Sequence, residues 1–226
     1  MPAASTHDDA GVGRLVSVAA ALVLGLALVT AASAGPRDEK EHLTKADMAL
    51  ARHGLLRRSD LAGGWNAVRV PLDSTGPRCR SYNPDFSRFT ITGKAASGFT
   101  RVAGTAIASG VEVYPNARQA SGDFQTGARP AFLTCFSSKL LRQFEKSGVA
   151  ASVASKRASS SPRLGMRSMT WHIVFKLNVQ GRSVPYYVDL FSFQVNRALG
   201  SVSFQSLGAR IPHQAALARL VATRLS

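Results

Sequence analysis

A chain of 226 residues with 45% apolar, 8% aromatic and 18% charged side chains has the content for one moderate domain with a real core. Long repeat arrays, large multidomain enzymes and wholesale disorder are excluded. The 28 Lys and Arg against 13 Asp and Glu give a net charge of +15 at pH 7, a surface that attracts polyanions.

Arg14 precedes an apolar run from Leu15 to Val29, which leads into Ala32-Ser33-Ala34. A basic residue, an insertable stretch and small side chains in that order make residues 1–34 a signal peptide, with cleavage after Ala34. The run approaches bilayer-spanning length, so an uncleaved anchor that associates with the membrane is the alternative. On either reading the rest of the chain is expected outside the cytoplasm, secreted or in the cell envelope. Its basic surface would there meet envelope lipid, glycan or another anionic polymer, and no nucleic acid. The same compartment oxidises thiols, and Cys79 and Cys135 are the only two cysteines; one disulfide between them is predicted.

Residues 35–42 read as a charged linker, with the domain expected over 43–226. Thr44 followed by Asp47 is a capping pattern, and Met48, Leu50, Ala51 and Leu55 recur at helical spacing, with Gly63-Gly64 as a stop. From Val68 to Asp85 the composition is that of a loop, pinned by Cys79. Phe86 to Thr92 and Thr105 to Tyr114 read as extended. Ala117 to Lys146 switches to helical spacing, with Pro130 opening a second helix that carries Cys135.

The last third predicts antiparallel strands and a closing helix. Met169 to Gln180 alternates most clearly, with Trp171, Ile173, Phe175 and Leu177 on one side and His172, Val174 and Lys176 on the other. Tyr186 to Asn196 and Leu199 to Leu207 follow, with Gly181 and Gly200 as turn residues. Pro212 opens the final helix, with Ala215, Leu217, Leu220, Val221 and Leu225 inward and Arg219 and Arg224 in water. A hairpin centred between Arg182 and Ser183 would set Lys176 opposite Asp189, Val174 opposite Phe191 and His172 opposite Phe193. That face is unusually apolar for one carrying charges. Either a helix covers it, or it lines a ligand groove with His172, Lys176, Tyr187, Asp189, Phe191 and Phe193 as its residues.

Catalytic patterns are missing from the sequence: no P-loop, GxSxG elbow, HExxH pair or Cys/His cluster of metal-ligand spacing. No catalytic residue, metal ligand or cofactor is therefore assigned. Asp189 is the one carboxylate after Glu145, so paired-carboxylate hydrolysis lacks a partner there.

Several short motifs occur in a distinctive order: Leu61-Ala62-Gly63-Gly64-Trp65, Cys79 before Pro84-Asp85-Phe86-Ser87, Thr90 to Ala95 (TITGKA), Val111 to Tyr114 (VEVY), and Arg129-Pro130 with Cys135. In this order the chain resembles the exported sensor-like domains of actinobacterial type, which include the PknH-like extracellular domains of membrane serine/threonine kinases and free cell-envelope proteins. The resemblance covers most of residues 43–226 and implies a single α+β domain. In that family an antiparallel sheet is backed by helices with disulfide support, and the domain is proposed to bind an extracellular ligand; here helices packed on one face and one disulfide are expected, where some relatives have more disulfides. No kinase domain accompanies it here. The expectation is a non-enzymatic, sensor-like, ligand-binding protein of the cell envelope, its ligand a hydrophobic or anionic envelope component. A structural or adhesion protein held by its basic surface is the alternative, with a secreted hydrolase behind it. No feature sets an oligomeric state.

Overall fold

The computed structural model describes residues 38–72, 76–101, 104–161 and 164–226; the export segment expected over 1–34 lies outside them. Among the described residues the elements run β1 (Lys40–Glu41), α1 (Lys45–Gly54), β2 (Asn66–Val68), β3 (Thr90–Ile91), β4 (Gly93–Arg101) and β5 (Thr105–Val113). They continue with α2 (Ala117–Gly127), α3 (Pro130–Lys146), β6 (Ala151–Ser159), β7 (Arg167–Val179), β8 (Arg182–Val195), β9 (Ala198–Leu207) and α4 (Gln214–Arg224). Seven strands form one antiparallel sheet in the order β2-β4-β5-β9-β8-β7-β6, and β1 pairs with β3 in parallel beside it. The fold is α+β, as expected, with the single Cys79–Cys135 disulfide in place.

The helices divide between the two faces of the sheet, where one covered face was expected. Helices α1 and α4 close one side through Ala51, Leu55, Ala218, Val221 and Leu225, against Ile107, Val111, Phe191, Phe193, Val202 and Phe204. On the other side α3 presents Phe132, Leu140 and Phe144 to Trp171, Phe175 and Tyr186. Beside it α2 joins through Ala120 to Phe89, Tyr114 and Leu199. The cause lies in β8, which carries Tyr186, Val188 and Leu190 on one side and Phe191, Phe193 and Val195 on the other, and a strand apolar on both sides must be covered on both.

Thr44 caps α1 as the sequence predicts, its hydroxyl accepting from the Asp47 N–H at 3.2 Å. The Asp47 carboxylate does not reach back to complete the box; it holds Arg197 through two bonds of 2.8 and 2.6 Å. In α4, Ala215 is exposed and Ala218 and Ala222 are buried instead. Arg224, expected in water, folds onto Asp60 at 2.7 Å and onto the Leu55 carbonyl at 2.8 Å.

The β7–β8 hairpin differs in register from the sequence expectation. His172 pairs with Asp189, Val174 with Tyr187 and Lys176 with Pro185, because the turn is made by Gln180 and Gly181, both at positive φ (53° and 77°). Two consecutive positive φ values define the tight turn that matches strand twist, and Gly181 adopts one without strain. Likewise the β8–β9 turn uses Asn196 (φ 51°). Gly200, expected as a turn residue, lies inside β9, where a Cβ would run into the Phe193 ring. The segment expected as a charged linker is folded from Asp38 onward: Asp38 pairs with Arg78 and β1 bonds to β3.

Candidate functional site

The alternation of β5 divides the sheet's two faces. Ile107, Val111 and Val113 enter the core under α1 and α4. Their neighbours Ala106, Ala108, Gly110 and Glu112 line a cavity on the other face. On that face α2 contacts β8 and β9 and α3 contacts β6, so the β4–β5 half of the sheet is not roofed by a helix. The result is a groove of about 510 Å³, within the usual span of small-molecule sites.

Small residues make its floor: Ala96, Gly98, Ala108, Gly110, Ser201 and Ser203. One wall is aromatic, from Phe124 and Phe132 to Trp171; the other is the segment after β2, with Val70, Pro71 and Leu72. A side chain on Gly98 would collide with Val70, so this glycine is what lets the wall meet the floor.

One end of the groove is acidic. Glu39 enters from the segment before β1, Glu112 from β5 and Asp123 from α2. Tyr114, fully buried, donates its hydroxyl to Glu112 Oε2 at 3.1 Å. Asp123 is 6% exposed, and its Oδ2, like Glu39 Oε2, is buried with no hydrogen-bond partner among the described residues. Burial, followed by the Asp123 charge, pushes Glu39 up to about 8. Burial also pushes Asp123 and Glu112 up to about 7, with Glu112 adding to the first and Glu39 to the second. Lys94 sits at the mouth, bound to Glu41 at 2.6 Å and to the Leu72 carbonyl at 3.3 Å. Among the described residues no group of three or more His, Cys, Asp or Glu is arranged to hold a metal ion.

A raised carboxyl pKa means the folded chain keeps protons that the unfolded chain releases. The stability this confers is complete below the ordinary values of 3.8 and 4.5 and drains away as pH climbs through about 7 and 8. The unliganded domain is therefore expected to melt about 5 °C lower or more near pH 8.5 than near pH 5.5. Asp123→Asn should flatten that slope; calorimetry at both pH values measures it.

The residues named from sequence lie on the opposite face. His172 and Asp189 do meet, Nδ1 to Oδ1 at 2.7 Å. Asp189 is fully buried and also accepts from Arg210 and, at 3.0 Å, from Gln214. Burial acts to raise its pKa, but the bonds from His172, Gln214 and Arg210 outweigh burial and hold it below the usual carboxylate value. Arg210 lies 4.8 Å over the Tyr187 ring. Phe191 and Phe193 are core residues under α4, and Lys176 is exposed across from Pro185, apart from the others. A helix covers this face, and the groove is elsewhere. Glu39 lies far from Glu112 and Asp123 in the chain, within the stretch expected as a linker. The signal available was Glu112, a charge within the small-residue alternation of β5.

Neither a protein-family model nor a curated protein sequence matches the chain. Among solved structures it has a weak likeness to the crystal structure of the extracellular domain of PknH from Mycobacterium tuberculosis, at TM-score 0.45 and 13% identity, over 79% of this chain and 95% of that one.

Proposed function

We propose that this chain is an exported, sensor-like binding domain of the cell envelope, without catalysis of its own, and that its ligand lies in the groove between β4–β5 and helices α2 and α3. The observation that carries the reading is the unroofed floor of small side chains facing an aromatic wall. A core built only for packing fills such a floor with large side chains, as the opposite face of the same strands does with Ile107 and Val111. The apolar segment 15–29 and the disulfide support placement in an oxidising compartment outside the cytoplasm. Envelope lipid fits the groove's apolar lining better than a glycan or a charged polymer does.

Filling the floor tests this. Ala108→Trp is expected to weaken binding of Nile red, an uncharged apolar dye, about tenfold or more, with the melting temperature little changed. A fluorescence titration reads both wild type and variant. A wild-type domain that takes up no dye, or an Ala108→Trp variant that binds as well as wild type, would leave adhesion through the basic surface as the reading.

A further inference from the structure

We propose that the groove's ligand is an amphiphile with a primary ammonium head, its chain over the small-residue floor and its head among Glu39, Glu112 and Asp123. The inference rests on the groove reading above and names the chemistry of what fills it.

An acidic cluster alone does not make a site; here it is joined by unsatisfied oxygens. Asp123 is more than nine-tenths buried and lines the groove, yet its Oδ2 has no hydrogen-bond partner, and neither has Glu39 Oε2. A buried acceptor left unpaired is costly and rare in folded proteins. The missing partner is a donor, and a donor that also carries positive charge forms the stronger bond with a carboxylate.

While Glu39 and Asp123 hold a proton between them, one can donate to the other; once the pair ionises, the other neighbouring groups do not supply that donor. Lys94, from β4, acts on Glu112 but is bound to Glu41 and the Leu72 carbonyl. Tyr114, just after β5, donates its hydroxyl to Glu112 and has Asp123 as its other near carboxyl, so its single proton serves the pair only in part. The Tyr82 hydroxyl, from the loop, donates to the Gly127 carbonyl at 2.7 Å. Arg78 is held by Asp38, Asn83 and the Pro84 carbonyl, and the Asp38 and Glu41 carboxylates beside β1 add further negative charge. The carboxyls are not arranged for a metal ion, whereas an ammonium imposes no coordination geometry. A primary ammonium has three N–H donors; a quaternary one has none and would leave Asp123 Oδ2 as it is. The apolar floor and aromatic wall continue from this acidic end, so the same molecule needs an alkyl part. On a chain of net charge +15, a buried negative end also selects against the anionic lipids that the outer surface attracts.

The raised carboxyl pKa values set the pH dependence. Below pH 7 the acids hold their protons and the head meets neutral groups. Above pH 8 they are ionised, while an alkylamine stays charged to about pH 10. Binding should strengthen across that interval and release protons.

Calorimetric titration of the oxidised domain with decylammonium, decyltrimethylammonium, decanol and decanoate tests the assignment. Decylammonium is expected to bind about tenfold or more tightly than decanol or decyltrimethylammonium near pH 8. That advantage should shrink several-fold near pH 5.5, and Asp123→Asn and Glu39→Gln should each erase most of it. Equal binding of decylammonium and decanol without pH dependence, or tightest binding of decanoate, would overturn the ammonium head and leave the apolar groove standing. Binding of none of the four would overturn both.

Discussion

Replacing Cys79 and Cys135 together with serine is expected to lower the melting temperature by about 8–16 °C, corresponding to about 4 kcal/mol for a closed loop of this length. The bond joins positions 56 apart in sequence across a Cα–Cα distance of 5.7 Å, and it ties the irregular segment after β2 to the buried side of α3. Most of its effect falls on the unfolded chain, which gains freedom when the loop opens. The folded loop keeps other anchors: Tyr82 still donates to Gly127, and Arg78 still reaches Asp38, Asn83 and Pro84. The serine variant should therefore fold at low temperature and retain the groove, with its loss visible in calorimetry. A change under about 2 °C would mean that these anchors restrain the segment without the disulfide.

Asp189→Ala is the second large effect, about 3 kcal/mol by urea denaturation. Its carboxylate is wholly buried and receives His172, Arg210 and Gln214; truncation strips all three of their acceptor and leaves a hole beneath α4. The Arg210 side chain is 38% exposed and that of His172 18%. Both can turn toward water, which keeps the cost at the lower end of the range for a broken buried pair. Asp189→Leu should cost less than Asp189→Ala, because it fills the space without leaving an unpaired charge. If His172→Ala alone matches the loss from Asp189→Ala, the carboxylate is not the centre of this cluster.

The sheet was legible where side chains alternate strongly. β7 shows in Trp171, Ile173, Phe175 and Leu177, and α3 in Pro130 followed by apolar residues at helical spacing. The strand β4, with the sequence GKAASGFTR, left no such trace because its groove side is Ala96 and Gly98, small residues that line the cavity. Strand β6 was also hidden, for its exposed residues Lys156 and Arg157 protect a sheet edge and need no alternation. The register differs by four residues from a hairpin centred between Arg182 and Ser183, because the positive φ values of Gln180 and Gly181 place the turn two residues earlier. Composition could not reveal that Glu39, Glu112 and Asp123 converge, since long-range pairing of β1 with β3 and docking of α2 bring them together.

Glu39 is delivered to the groove by a short attachment. Strand β1 is held by the Lys40 N–H to Phe89 at 2.9 Å and the His42 N–H to Ile91 at 2.8 Å, with the Thr44 N–H to Thr92 at 2.8 Å just beyond. Residues 38–44 are held to the domain by those bonds and by the Asp38–Arg78 and Glu41–Lys94 ion pairs. A pull on residue 38 would reach Glu39 first, so with a ligand in the groove as proposed, occupancy and tension on this strand would be coupled.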